Sequence, residues 1–222
     1  MPWPGFFHKM AIADRYIFFD DVQFRKNYFH NRNRLVNTHG DIFWLTVPLK
    51  SGQLSQKISE KVILDTEWKI KYLRNISQAY CKAKFYEKYY PELEQIVIQC
   101  DTSLLNFNLS LIEWLRKSLD INTPIGFSSD LDLKSRKSDL ILEICCLLEA
   151  DKYLSGPSGI EYLDVNSFCR KGIDVFFHKF EPPVYQSNGA IISGLSTLDL
   201  LMVYGPSSME IVNNAQRDKG LK

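Results

Sequence analysis

The residues best suited to chemistry stand together in Tyr16–Arg34, YIFFDDVQFRKNYFHNRNR. Tyr16, Ile17, Phe18 and Phe19 read as a short buried strand, so Asp20 and Asp21 emerge at its carboxyl end, where open α/β sheets place their ligand crevices. A carboxylate in that position suits a general base or a group that faces a metal ion. Gln23, Asn27, Asn31, Arg32, Asn33 and Arg34 follow at once. They supply amide and guanidinium donors, and arginine offers a planar fork that matches phosphate or carboxylate. The pattern points to an anionic small ligand. The structural alternative is that paired aspartates after a strand cap a helix or open a turn, and that a loop rich in Arg and Asn is simply solvated.

Four further places carry candidate groups. In SGPSG, residues Ser155, Gly156, Pro157, Ser158 and Gly159 sit where a strand hands over to a helix, so their backbone N–H groups can cradle an anion. Pro157 removes one donor, and the spacing matches neither GxGxxG nor GxxxxGK[ST], so a plain turn stands beside that reading. Without a GxSxG elbow, neither Ser155 nor Ser158 reads as a hydrolase nucleophile. Lys134, Arg136 and Lys137 form a second basic stretch ahead of a helix, suited to a phosphate or to plain solvation. His178, at the end of a strand, suits acid or base work if it faces a cleft, and aromatic filling if it does not. Tyr185 and Gln186, in PPVYQ, are able to read a sugar or base edge or to pack under a loop.

The elements that must position these groups alternate. PWPGFFHKMAIAD reads as a loop entering a helix with no strand before it. After the first strand, the NRNR run reads as a polar loop. Ile42–Leu49 reads as a second strand and Val62–Leu64 as a short third. Residues 65–120 change to helical spacing. Trp68, Tyr72, Ile76, Ala79, Tyr80 and Ala83 predict one helix capped by Asp65 or Thr66, Pro91 is placed in the first turn of a second over Glu92–Gln99, and Leu104–Leu119 predict a third capped by Asp101 or Thr102. From Pro124 onward, strands and helices alternate again, with the order strand, SGPSG loop, helix, strand predicting a parallel pair. The expected architecture is α/β, a mainly parallel sheet with helices on both faces. Residues 1–64 and 121–222 would form its core domain and 65–120 a helical insertion or cap.

Composition narrows the functional classes. The chain has 222 residues, 27 Lys and Arg against 26 Asp and Glu, and a formal charge of +1, so no global field draws in nucleic acid or an acidic membrane. Five cysteines without a CxxC pair argue against a disulfide framework and for the cytoplasm. Four histidines without HxH or HxxxH spacing give no legible metal site, and no cofactor is legible either. No apolar stretch has the length of a membrane span, and no signal peptide is visible.

PWPGFFHKMAIAD, YIFFDDVQF, the NRNR run, WLTVPL, YLSGPSGIEYLD, VYQ and LSTLDLLMVYG, in that order over nearly the whole chain, resemble the WbqC family of surface polysaccharide and O-antigen (lipopolysaccharide) biosynthesis. The resemblance implies transfer of an acyl or aminoacyl (glycyl) group to a nucleotide-linked amino sugar. The small-molecule partners would then be a nucleotide sugar and an activated acyl donor. Members of that family begin with a strand ending in His-Gln-Pro-x-Tyr directly before the Pro-Trp element, so a first strand is expected to be missing here. Within that reading Asp20, Asp21 and His178 are the candidate acid and base groups. Arg32, Arg34 and Lys137 are the anion clamps, and Ser155–Gly159 supply backbone donors. A noncatalytic sugar-nucleotide binder or scaffold of the same pathway, or a nucleotidyltransferase-like enzyme, is the alternative.

Overall fold

The computed structural model describes residues 1–26, 28–53, 55–64 and 67–217. In chain order the elements are α1 (Pro4–Ala11), β1 (Tyr16–Phe18), β2 (Arg32–Val36), β3 (Ile42–Thr46), α2 (Trp68–Tyr80), α3 (Tyr86–Gln99), α4 (Leu104–Ser118), β4 (Ile125–Phe127), α5 (Lys137–Leu147), β5 (Lys152–Ser155), α6 (Val165–Arg170), β6 (Asp174–Phe177), β7 (Val184–Ser187), β8 (Ala190–Ser193), α7 (Thr197–Tyr204) and α8 (Ser208–Arg217). The protein is thus mixed α/β. It divides into two compact units, one of residues 1–11, 20–122 and 181–222, the other of residues 12–19 and 123–180.

The second unit carries the parallel pairing. β1 lies parallel to β4, with Phe18 opposite Phe127 and their rings stacked at 5.6 Å. β5 lies parallel to β6, Ser155 opposite Phe177. A 3-10 turn over Pro157–Glu161 and α6 connect the latter pair, as the strand, glycine loop, helix, strand order predicts. Asp164 caps α6 by accepting from the Ser167 N–H. Ile141 and Cys145 of α5 pack with Phe168 of α6 and with Ile173, closing a core under β5 and β6.

The first unit is built from hairpins and helices. α2 buries Trp68, Tyr72, Ile76, Ala79 and Tyr80, the apolar stripe read from the sequence. Its expected caps, Asp65 and Thr66, lie outside the described residues. α3 begins at Tyr86, a turn and a half before the expected start, and carries Pro91 in its interior. The extra turn is held by side chains: the Tyr86 and Tyr90 rings stack at 4.5 Å, and the Tyr86 hydroxyl donates to Ser77 Oγ at 2.9 Å. α4 is capped by Ser103, whose Oγ accepts from the Asn106 N–H; Asp101 braces that cap by accepting from the Ser103 N–H at 2.8 Å and from Asn106 Nδ2. Val62–Leu64 contributes only isolated bridges, Leu49 to Ile63 and Val62 to Ser103.

NRNR corrects the expected loop. It opens β2, antiparallel to β3, in the register Arg32 to Thr46, Asn33 to Leu45, Arg34 to Trp44, Leu35 to Phe43. Strand alternation explains why so polar a run is extended: Asn33 and Leu35 turn inward and are buried, while Arg32 and Arg34 lie on the other face, Arg32 over the Trp44 ring. β7 and β8 form a second hairpin around Asn188 and Gly189, whose φ values of +46° and +78° are those of the tight turn matching strand twist.

No described helix is long and apolar enough to cross a membrane. Gly159 is required by space, because a Cβ there would overlap Ser155 Oγ. Gly159→Ala is therefore expected to lower unfolding stability by about 1–3 kcal/mol, with part recovered by adding Ser155→Ala. Urea midpoints for the two variants check this, and a Gly159→Ala midpoint equal to the parent's would contradict it.

Candidate functional site

The acidic turn after β1 is exposed and modestly engaged. Asp20 and Asp21 are half-buried, and Asp21 Oδ2 lies 3.4 Å from Lys57 Nζ with both side chains about half exposed, at 44% and 52%. An exposed pair of that kind contributes roughly 0–1 kcal/mol. Gln23 is exposed and its backbone bridges to Lys57. The donors expected to hold an anion are largely spent inside the first unit. Asn31 Nδ2 donates to the Val47 carbonyl at 2.9 Å, buried Asn33 Nδ2 to the Met1 carbonyl at 2.7 Å, and Arg34 Nη2 to the Gly194 carbonyl at 2.7 Å. Arg32 instead lays its guanidinium 4.3 Å over the Trp44 ring. Asn27 lies outside the described residues.

In the second unit the structure brings Ser155, Gly156, Gly159 and His178 together at the carboxyl end of the β5–β6 pair. Ser155 is fully buried and its Oγ donates to the Gly156 carbonyl at 3.0 Å. The Gly159 N–H is taken by that same carbonyl, and the His178 N–H by the Ser155 carbonyl at 2.8 Å. The His178 ring is buried and stacks on Phe180 at 5.7 Å, while Ser158 is exposed. Lys137 opens α5 with φ at +54°. The basic stretch before it already holds an anion: the Glu143 carboxylate accepts from the Lys134 and Ser135 N–H groups, the latter at 2.9 Å. Those backbone donors, Ser135 foremost, keep the Glu143 carboxyl below its ordinary pKa.

One hollow was not read from the sequence. A cleft of about 640 Å³ opens in the first unit between β3 and the start of α2, within the size of small-molecule sites. β3 contributes Trp44 and Thr46, with Leu45 and Pro48 beneath. The helix end contributes Glu67, Trp68, Lys71, Tyr72 and Asn75. Their spacing is helical: Glu67, Lys71 and Asn75 follow one another at four residues and make a polar row, and Trp68 with Tyr72 makes an aromatic row beside it. Trp68 and Tyr72 meet edge to face at 5.4 Å, and both lean on Phe107 of α4. Burial pushes the Tyr72 phenol far above its ordinary pKa, so it stays neutral. Sequence reasoning read Trp68 and Tyr72 as core; the polar row one step around the same helix was the missed signal.

A buried polar network stands behind this cleft in the same unit. The Tyr80 hydroxyl donates to Asp199 Oδ2 at 2.7 Å and the Ser187 hydroxyl to the same oxygen at 3.1 Å. Tyr185 brings a second phenol to this carboxylate, without good hydrogen-bond geometry; burial foremost and then the Asp199 charge push that phenol far above its ordinary pKa. Tyr185 therefore faces inward. Gln186 alternates outward, and its backbone carbonyl accepts from the Tyr204 hydroxyl at 2.8 Å. Burial raises the Asp199 pKa, opposed by the Tyr80, Tyr185 and Ser187 hydroxyls. Among the described residues, no group of three or more His, Cys, Asp or Glu side chains is placed to hold a metal ion.

Hairpins, a helical layer and an aromatic cleft edged by polar groups define a mixed α/β protein with a small-molecule-sized hollow. The chain belongs to the WbqC-like protein family, whose model matches residues 1–211. It is also similar to "Uncharacterized protein Rv1507c" of Mycobacterium tuberculosis (strain ATCC 25618 / H37Rv), with 31% identity over 209 residues that cover 92% of this chain and 90% of that protein. No solved structure matches it.

Asp199 yields a pH prediction. Its folded pKa lies above the ordinary 3.8, so the stability it contributes is complete below that value and is lost as pH rises through the folded pKa. Asp199→Asn keeps the shape and removes the ionisation. The melting temperature of the parent relative to Asp199→Asn should therefore fall from acid to neutral pH, and a difference that does not vary with pH contradicts the assignment.

Proposed function

We propose that this protein acts on a precursor of surface polysaccharide, seating a nucleotide-linked amino sugar in the cleft between β3 and α2 and transferring an acyl or aminoacyl group, glycyl foremost, to its amine. The observation that carries the reading is the lining of that cleft. Trp44 and Trp68 offer flat apolar faces for the C–H side of a sugar ring. Thr46, Asn75, Glu67 and Lys71 surround it with donors and acceptors for hydroxyls. The chain belongs to the WbqC-like protein family, and the pathway and reaction class proposed here are those that the resemblance of its motifs to that family implies. The cysteines described are all free, which fits work in the cytoplasm.

The chemistry asked of the cleft is modest. The sugar nitrogen forms its bond to the acyl carbonyl carbon, the bond from that carbon to the donor's leaving group breaks, and the ammonium proton must be removed. Glu67 is the carboxylate that lines the cleft, and it takes that proton and returns it to the leaving group. Neutral Tyr72 is placed to donate to an oxygen, and Lys71 to pair with an anionic part of either substrate.

Binding without turnover is the second reading, favoured by one observation: among the described residues, no cysteine, serine or histidine lines the cleft. Both are tested together. Calorimetry with UDP-glucosamine should show binding that weakens about tenfold in Asn75→Ala, one good hydrogen bond's worth, and is unchanged in Asp139→Asn, at an exposed position of the other unit. Mass spectrometry after incubation with a glycyl thioester should show the N-glycylated sugar, lost in Glu67→Gln. Binding without product selects the second reading, and no binding at all sinks both.

A further inference from the structure

A ridge of exposed rings runs outward from one wall of the cleft. Tyr28, Phe29 and Trp44 are 48%, 43% and 45% exposed. Burying aromatic surface is favourable, and three large rings half in water and in contact with one another form a contiguous apolar patch of the kind that takes a ligand. They are also ordered into a series. Tyr28 meets Phe29 at 5.5 Å and Phe29 meets Trp44 at 6.0 Å, and His30 turns back edge-on to Tyr28 at 5.3 Å. The turn is fixed from within, because the Arg25 N–H donates to His30 Nδ1 at 3.2 Å, and Asn108 Nδ2 holds the His30 carbonyl at 2.8 Å.

Each end of the series carries a guanidinium. Arg25 lies 5.8 Å from the Tyr28 ring centre, and Arg32 lies 4.3 Å over Trp44. Flat rings for stacking combined with fixed cations are the two demands of a planar heterocycle that carries phosphate. Trp44 belongs to the ridge and to the cleft at once, so a ligand that spans both continues without a break from rings to hollow.

The geometry points to a nucleotide platform: the base stacks on Phe29 with the Tyr28 ring edge-on beside it, Arg32 over Trp44 faces the diphosphate, Arg25 at the Tyr28 end adds positive charge beside the base, and the sugar enters the cleft past Trp44. This rests on the cleft being the sugar site and adds the place and the chemistry of the activating group. The near-neutral chain, at +1, and the short length of the ridge argue for a mononucleotide rather than a nucleic acid strand.

Titration calorimetry with UDP, ADP and glucosamine separates this platform from the cleft. UDP or ADP should bind the parent protein, and Phe29→Ala should weaken that binding at least about tenfold, as loss of one stacking ring does. Arg25→Ala should weaken it further and flatten its salt dependence. Glucosamine affinity and the melting temperature without ligand should be unchanged in both variants. A protein that binds UDP or ADP through Phe29 but not glucosamine keeps the platform and loses the sugar cleft. Glucosamine binding with neither nucleotide bound overturns the platform, as does nucleotide binding indifferent to both substitutions. Tighter, salt-steep binding of a short single-stranded oligonucleotide to the same rings also overturns it.

Discussion

Asn188 ties β2 to α2, the helix whose first turns form one wall of the cleft. Its side-chain amide donates to the Val36 carbonyl at the end of β2 and to the Ala79 carbonyl at the end of α2, at 3.1 Å and 3.0 Å. β2 is paired to β3 along its whole length, so fixing the end of β2 fixes β3, and with it Trp44 and Thr46. α2 carries the opposite wall. One amide with two donors therefore sets a spacing that neither element determines alone. Asn188 reaches both carbonyls because it sits in a turn with φ at +46°, a conformation that asparagine tolerates better than most residues and that Gly189 beside it completes.

The hydroxyl network around Asp199 acts on the same joint from beneath. Tyr80 is the last residue of α2, and its hydroxyl is held by Asp199 of α7; Ser187, the last residue of β7, is held by the same oxygen. The helix end, the hairpin and α7 thus share one carboxylate. A leucine at 199 would fill similar space, but it would strand two buried hydroxyls, each a loss of about 1–3 kcal/mol. Burial raises the Asp199 pKa because it penalises the charged carboxylate, and the three neighbouring hydroxyls oppose that penalty. A polar cluster that had looked in sequence like sugar-reading Tyr185 and Gln186 divides by strand alternation into an inward half that braces the fold and an outward half that meets solvent.

What could be read in advance follows from the range of the forces involved. α2, α3 and α4 were legible because an apolar stripe at three and four residue spacing needs no knowledge of its partner, and the parallel β5–β6 pair because the intervening loop and helix leave few other topologies. β2 was not legible. Arg32, Asn33 and Arg34 have little strand preference of their own, and they are extended because Leu35 and Asn33 gain burial and Arg32 gains the Trp44 face once β3 lies alongside. The start of α3 was misplaced for a similar reason, since a stacked tyrosine pair outweighed the boundary signal of Pro91. The Asn188–Gly189 dipeptide between two apolar strands was a hairpin signal in plain view. The cleft was hidden most deeply, because it exists only where β3 meets the first turns of α2, a tertiary event that no local pattern records.

The division of labour between Trp68 and Trp44 follows from these constraints. Trp68 is 8% exposed and wedged against Phe107 and Tyr72, so it gives the cleft a rigid wall whose position the core dictates. Trp44 is 45% exposed, on the outward face of a strand, and depends on the Arg32 guanidinium above it for its orientation. A wall of the first kind binds by fixed shape. One of the second kind gains contact area and order only when a ligand covers it, so ring stacking there adds affinity without straining the fold. Replacing Trp68 would disturb the core around Phe107 and Tyr72 as well as binding, whereas replacing Trp44 would cost recognition and its contacts with Arg32 and Phe29. Such a separation lets one wall specify the hollow while the other, with the ridge beyond it, adapts to what enters.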